Sequence, residues 1–355
     1  MTLAPIRVVV TEDSAVTRAL LIAILEKAPG FELVAAVSDG AAAVDAVTRL
    51  RPSVVTMDLH MPRLDGVEAT RRIMQETPTP IVVVTASSGV DGQMTYDALA
   101  AGALSVVARP VGPSDARFEV RRDALLAELR LMAGVRVVRR SGRAEPRTAA
   151  PSRIARPGRP VRVVAIAAST GGPAVLHRLL GDLPRDFNVP ILIAQHMSEG
   201  FVGGFSRWLS AVAPGAVRVA RDGDVLAAGG IFVAPDGSHL RVRSDGTVRL
   251  DDGPPIGGHR PSATALFDSV ADVYGDEAIG VVLTGMGRDG VDGLVRLRAT
   301  GATTLAQDAA SSAVFGMPRA AVEAGAVERV VSVDDVGRTI AALVGTARER
   351  ADGSR

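Results

Sequence analysis

The chain has 355 residues, of which 47% are hydrophobic, only 3% aromatic and 22% charged, with a formal net charge of +1 and no cysteine. That composition excludes disulfides, thiolate metal sites and cysteine nucleophiles, and it excludes both acidic disorder and a basic coat over the whole chain. At roughly 150 residues per domain the length makes two domains with some connecting chain, and no stretch reaches the ~18 uninterrupted apolar residues of a membrane span. The apolar run Ile6–Val10 soon meets Glu12 and Asp13, so it is no signal-peptide core. A soluble cytoplasmic protein without membrane insertion is expected.

From the amino terminus, β-rich apolar runs recur at Ile6–Val10, Leu33–Val37, Val54–Met57, Ile81–Thr85 and Leu104–Ala108, and residues at helical spacing, such as Val16, Ala19, Leu20, Ala23 and Ile24, lie between them. Five strands alternating with helices predict a parallel sheet covered on both faces, closed by an amphipathic helix near Ala116–Met132. Ligands of such sheets sit beyond the carboxyl ends of the strands, where the strand order reverses. The first strand runs into Glu12-Asp13, the third into Asp58, the fourth into Thr85 and the fifth into Arg109-Pro110. Clustered carboxylates repel, so they need a hard cation such as Mg2+ among them, and that cation also neutralises a phosphoryl group under attack. On this reading Asp58 is the nucleophile, Glu12 and Asp13 join it as metal carboxylates, Thr85 donates a hydroxyl and Arg109 is the counter-charge. Taken singly the residues have plainer uses: Asp13-Ser14 can cap the next helix, and Asp58 can open a turn toward Asp65-Gly66.

Thr11-Glu12-Asp13-Ser14, Met57-Asp58-Leu59-His60-Met61-Pro62-Arg63-Leu64-Asp65-Gly66, Val84-Thr85-Ala86 and Arg109-Pro110 make residues 1 to about 130 resemble a response-regulator receiver domain. The resemblance implies a flavodoxin-like (βα)5 fold and phosphorylation of Asp58 by a partner histidine kinase. Two positions depart from the pattern. Arg109 stands where the family has lysine, which keeps the charge on a bulkier, forked group, and Val106 stands where an aromatic switch residue is usual.

Between Arg136 and Pro160 eight arginines face the single acid Glu145, interleaved with Ser, Gly, Ala and Pro. Nothing there can be buried, so 133–160 reads as a flexible linker between a first domain at 1–132 and a second at 161–348. Arginine-rich chain can also touch nucleic acid or an acidic partner, but without aromatic residues among the charges it reads as a solvated spacer.

Beyond the linker, Val161–Ala167, Ile191–Gln195 and Ala278–Leu283 are continuous apolar runs of the kind buried central strands show. Val217–Val219, Ile231–Val233, Leu240–Val242 and Val248–Leu250 are short strands among Gly and Asp turns, read as a less regular, partly antiparallel region. The second domain is therefore also α/β, doubly wound and mainly parallel, with a small antiparallel part.

With cysteine excluded, a covalent nucleophile here is Ser or Thr with an adjacent base. His196 directly follows the run Ile191–Gln195, at the mouth of a strand. Ser169 follows the first run in Ala168-Ser169-Thr170-Gly171-Gly172-Pro173, where a tight turn into a helix offers N–H groups to an oxyanion; alternatively Ser169 is an ordinary helix cap. Asp289 follows the third run in Thr284-Gly285-Met286-Gly287-Arg288-Asp289-Gly290, although Arg-Asp-Gly alone is more often a plain turn. Converging, the three form a triad in which Asp289 sets the His196 tautomer. His177 reads as a partly exposed helical residue, and His239 and His259 as loop residues that either line a groove or hold a turn.

Ala168–Gly172, Gln195-His196-Met197, Ile231–Pro235, His259-Arg260-Pro261-Ser262, Leu283–Gly290, Ala306-Gln307-Asp308 and Phe315–Pro318 make residues 160–348 resemble the catalytic domain of chemotaxis protein-glutamate methylesterases. The resemblance implies a Ser169, His196, Asp289 triad with Thr170 and Met286 near the oxyanion. It also implies hydrolysis of glutamate γ-methyl esters on methyl-accepting chemoreceptors, deamidation of certain receptor glutamines, and a chemotaxis histidine kinase as phosphodonor. Mg2+ serves receiver phosphorylation only, and ester hydrolysis needs no cofactor. The unphosphorylated receiver is expected to pack over the catalytic crevice. The alternatives are a receiver coupled to a non-catalytic interaction domain or to a DNA-binding one; the second domain carries no helix-turn-helix pattern, so no nucleic-acid partner is expected.

Overall fold

The structure, a computed structural model, describes residues 4–86, 92–135, 137 and 160–352. It divides into two compact units, one built on a five-stranded sheet and one on a seven-stranded sheet. Of the segment read as a linker, residues 136 and 138–159 lie outside the described residues.

The first sheet comprises β1 (Ile6–Thr11), β2 (Phe31–Val37), β3 (Val54–Met57), β4 (Ile81–Thr85) and β5 (Ser105–Ala108), in the order β2-β1-β3-β4-β5 with every neighbouring pair parallel. β3 and β4 are buried at every position, which is why their apolar runs are continuous rather than alternating. The first three helices between them start on side-chain caps: Ser14 accepts from Thr17 N–H (3.3 Å), Asp39 from Ala42 N–H (3.0 Å) and Asp65 from Glu68 N–H (2.8 Å). The last helix, Phe118–Ala133, covers the positions expected of it. The strand order reverses between β1 and β3, whose carboxyl ends carry Glu12-Asp13 and Asp58.

The second unit contains β6 (Val163–Ala168), β7 (Ile191–Gln195), β8 (Val217–Val219), β9 (Ile231–Val233), β10 (His239–Val242), β11 (Val248–Asp251), β12 (Ala278–Val282), β13 (Thr303–Gln307) and β14 (Arg329–Val331). Seven of these form one sheet in the order β14-β13-β12-β6-β7-β9-β8, all parallel. The region read as partly antiparallel resolves into two parts. β8 and β9 extend the parallel sheet beyond β7, whereas β10 and β11 pair antiparallel with each other; short strands among turns carry no trace of direction, which their strand partners decide. β13 and β14 were not anticipated, because threonines interrupt the first and the second has three residues. A large cluster in the core of this unit is mainly aliphatic, with Phe232, Phe267 and Tyr274 as its aromatic members, in keeping with so low an aromatic content. No helix among the described residues is long and apolar enough to cross a membrane.

Candidate active site and phosphoryl site

In the second unit the strand order reverses between β6 and β12, the place where ligands of open parallel sheets bind. Ala168 and Gln195 are register partners, so Ser169 and His196 leave adjacent strands side by side, and His196 N–H donates to Ala168 O (3.0 Å). Ser169 N–H donates to Thr284 O (3.0 Å), which ties the exit of β12 to that of β6. Only a glycine lets these exits run so close: a Cβ on Gly285 would lie 2.7 Å from Ser169 Cβ and 2.5 Å from Met317 Sδ. Ser169 is not a helix cap; Gly171, at φ 75°, caps the helix Gly172–Gly181.

Asp289 is buried and faces His196, with Oδ2 2.9 Å from Nε2. The same carboxylate accepts from Ser262 Oγ (2.7 Å), Ala263 N–H (2.7 Å), Thr264 N–H (3.3 Å) and Thr264 Oγ1 (3.0 Å). Those residues begin the helix Ala263–Tyr274, so the carboxylate also meets the positive end of a helix dipole. Burial works to raise the Asp289 pKa, but the bonds from His196 and Ser262 and the charge of His196 outweigh it and hold the carboxyl well below the usual range. An ionised acid at Nε2 requires the proton on that nitrogen and leaves the lone pair of a neutral ring at Nδ1. His196 Nδ1 is buried and has no hydrogen-bond partner. The structure thus joins His196 to Asp289 directly and sets Ser169 on the neighbouring strand end, with no Ser169–His196 hydrogen bond among the described residues; such bonds often close only around substrate.

Thr170 is buried, and its carbonyl accepts from Thr284 Oγ1 (3.0 Å). Neither Thr170 N–H nor Met286 N–H donates to a backbone carbonyl among the described residues. Met286 also lines a pocket with Gly287, Val314, Phe315, Gly316 and Arg319. Sequence reasoning missed several supports. Gln195 Nε2 donates to both Ser169 O (2.9 Å) and His196 O (2.7 Å). Ser262 and Thr264 hold Asp289; Ser262 stood in the sequence only as the end of the stretch His259-Arg260-Pro261-Ser262, with no role attached. His239 is buried, with Nε2 3.1 Å from Pro254 O and Nδ1 accepting from Ser262 N–H (3.1 Å), so it buttresses Ser262 rather than a groove. His177 lies half-buried on its helix and stacks on Trp208 at 4.1 Å.

In the first unit, carboxylate oxygens of Glu12, Asp13 and Asp58 lie within 4.8 Å of one another. Glu12 and Asp58 are buried and Asp13 is exposed. Glu12 Oε1 accepts from Ser14 N–H (3.2 Å), whereas Oε2 has no hydrogen-bond partner and its nearest cation is Arg109 Nη1 at 3.6 Å. Burial and the nearby Asp58 charge push the Glu12 pKa up to about 7, and burial raises that of Asp58 as well. Three acids short of positive charge, one with an orphaned buried oxygen, suit a divalent cation. Thr85 is buried at the end of β4, and its carbonyl accepts from Arg109 N–H (2.7 Å). Val106 is buried in β5. Of the alternative uses, Ser14 does cap the helix Ala15–Lys27 and Asp65 the helix Gly66–Glu76, and neither Asp13 nor Asp58 is a cap of these helices.

Known proteins match both units. The family model for the CheB methylesterase covers residues 164–340, and that for the response regulator receiver domain covers residues 8–121. A protein-glutamate methylesterase/protein-glutamine glutaminase of Myxococcus xanthus is 46% identical over 94% of this chain and 95% of its own length. One from Anaeromyxobacter dehalogenans is 48% identical over 96% of this chain and 97% of its own. The crystal structure of the Thermotoga maritima CheB methylesterase catalytic domain superposes with a TM-score of 0.50 at 32% identity, covering 52% of this chain and 98% of that one. With the receiver match ahead of the esterase match and relatives aligned over nearly the whole length, the chain belongs to the protein-glutamate methylesterase/protein-glutamine glutaminase family, the CheB methylesterases that carry a response regulator receiver domain.

Proposed function

We propose that the chain is a phosphorylation-activated serine hydrolase of the cytoplasm that removes methyl groups from glutamate γ-methyl esters of methyl-accepting chemoreceptors and deamidates particular receptor glutamines. The observation that carries this reading is the buried His196–Asp289 pair at the strand-order reversal, with Ser169 on the adjoining strand end. Asp289 accepts a hydrogen bond from Nε2–H and stays ionised, so Nδ1 of His196 takes the hydroxyl proton as Ser169 Oγ bonds to the γ-carbonyl carbon. The carbonyl electron pair moves onto oxygen, opposite the unpaired N–H groups of Thr170 and Met286. Collapse breaks the bond to the methoxy oxygen, which leaves as methanol with the proton from Nδ1; from an amide, ammonia leaves. Water then attacks the acyl-serine, Nδ1 takes its proton and returns it to Ser169 Oγ, and a glutamate is left. Each of these steps uses protein groups and water alone.

In the receiver, read as residues 1–132 and joined through 133–160 to the catalytic residues 161–348, Glu12, Asp13 and Asp58 would hold Mg2+, which when bound neutralises charge during phosphoryl transfer. An Asp58 oxygen takes the phosphoryl group as the P–N bond of a phosphohistidine on the chemotaxis kinase breaks, and Thr85 and Arg109 supply a hydroxyl and a cation to the new charge. The phosphoryl group raises the esterase rate by favouring the active population. Methanol release from methylated receptor membranes is expected to rise when a small-molecule phosphodonor and Mg2+ are added to the full chain, and Asp58→Asn is expected to lose that rise. A rate indifferent to phosphodonor would remove the regulatory part of the reading, and absence of methanol under every condition would remove the hydrolase.

A further inference from the structure

His259 belongs to none of the hydrogen-bond chains above, yet its ring lies face to face with His196, centroids 4.2 Å apart and planes 4° from parallel. The local sequence puts it there. Ile256 N–H donates to His259 O (3.1 Å) and His259 N–H to Ile256 O (3.0 Å), which closes a two-residue hairpin. Both turn residues have positive φ, Gly257 at 58° and Gly258 at 87°, as in a type I′ turn, a conformation that a residue with a Cβ disfavours. After the turn, Arg260 Nη1 donates to Asp252 O (3.3 Å) and Gly253 O (3.2 Å), and Ser262 is bound to Asp289 (2.7 Å). The ring is therefore carried on a segment fixed on both sides.

A single hydrogen bond at Nε2 does not fix the plane of an imidazole, because the torsion that turns the ring is broad. Proton transfer from Ser169 needs that plane fixed, since misplacement by an ångström costs up to about 100-fold in rate. We propose that His259 is a positioning residue for the general base, a flat plate that holds the His196 ring with Nε2 on Asp289 and Nδ1 turned to the nucleophile. The inference rests on the hydrolase reading of Ser169, His196 and Asp289. The titratable groups facing His259 are His196 and Asp289; burial and the His196 charge hold its imidazole below the ordinary histidine range, against an opposing pull from Asp289. It is consequently a neutral plate at pH 7 rather than a second cation, and an aromatic ring without nitrogen should replace it.

The test is steady-state methanol release from methylated receptor membranes by the phosphodonor-activated full chain, comparing wild type, His259→Ala and His259→Phe, with Ser169→Ala alongside and circular dichroism to establish folding. His259→Ala is expected to lower kcat about 10- to 100-fold with KM within about twofold, and His259→Phe to recover to within about threefold of wild type. If His259→Ala fails to fold, His259→Phe decides alone: near wild-type turnover supports the plate and slow turnover overturns it. Full kcat in His259→Ala, or a folded His259→Phe as slow as a folded His259→Ala, also overturns the plate. An active Ser169→Ala would overturn the hydrolase reading and the plate with it, whereas an inactive Ser169→Ala beside a fast His259→Ala overturns the plate alone.

Discussion

Asp289 and Glu12 are both buried carboxyls at the carboxyl end of a parallel sheet, close to where its strand order reverses, yet their pKa values move in opposite directions. The difference lies in the donors around them. Asp289 collects two side-chain hydroxyls, two backbone N–H groups and an imidazole, each bond to a charged group worth about 1.5–3 kcal/mol. Glu12 receives one backbone N–H and a distant guanidinium, with two further acids at its side. A buried charge costs several kcal/mol unless fully paired. Asp289 is thus a fully hydrogen-bonded acid held in its ionised form, as the proposed orienting role requires, whereas Glu12 sits short of donors and of positive charge, as the proposed cation site requires. Burial alone does not separate an orienting acid from a ligand-binding one; satisfaction does.

Three experiments bear on that contrast, in descending size of effect. Asp289→Asn keeps the shape but replaces an acceptor with a partial donor, reversing the tautomer demanded of His196; kcat for methanol release is expected to fall about 10^4-fold, and a fall below tenfold would break the contrast on the esterase side. On the receiver side, if Glu12 holds Mg2+ as proposed, protons compete with the cation for it. With its pKa near 7, Mg2+ affinity measured by titration calorimetry is expected to weaken about tenfold from pH 8 to pH 6, and Glu12→Gln to flatten the dependence. The same shift has a sign for stability. Between the unfolded value of about 4.3 and about 7 the native state binds the extra proton, so the cation-free receiver loses stability as pH rises through that window. Affinity independent of pH would show Glu12 to be a finished acid like Asp289. The smallest effect belongs to Ser262→Ala, which removes one of several donors to Asp289 and the cap of the following helix. A several-fold loss of kcat and about 1 kcal/mol of stability by denaturant titration are expected; an unchanged kcat would mean that the remaining donors suffice.

Much of this was legible because continuous apolar runs announce buried strands and the residue after each run falls at the ligand-binding edge. That logic put Ser169, His196, Asp289, Asp58 and the Glu12-Asp13 pair at strand ends or just beyond them, where the structure also has them. It did not locate Ser262, Thr264 or Gln195, whose roles arise from a loop or an amide packed against residues distant along the chain, where hydroxyl and amide side chains look like ordinary caps and surface groups. His259 was read as a loop residue lining a groove or holding a turn, and its contact with His196 was not foreseen, since face contact between two rings leaves no mark on spacing. The directions of β8 and β9 and the existence of β13 and β14 were lost for the same reason: strands of three to five residues broken by threonine or arginine carry too little pattern, and the neighbouring strands decide their place.

The most direct measurement is methanol release from methylated receptor membranes by Ser169→Ala beside the wild-type chain, both activated by phosphodonor and both folded by circular dichroism. A hydroxyl nucleophile at Ser169 predicts a fall in kcat of about 10^4-fold or more. Turnover within about tenfold of wild type would contradict it, because a serine that forms no acyl intermediate contributes at most a hydrogen bond.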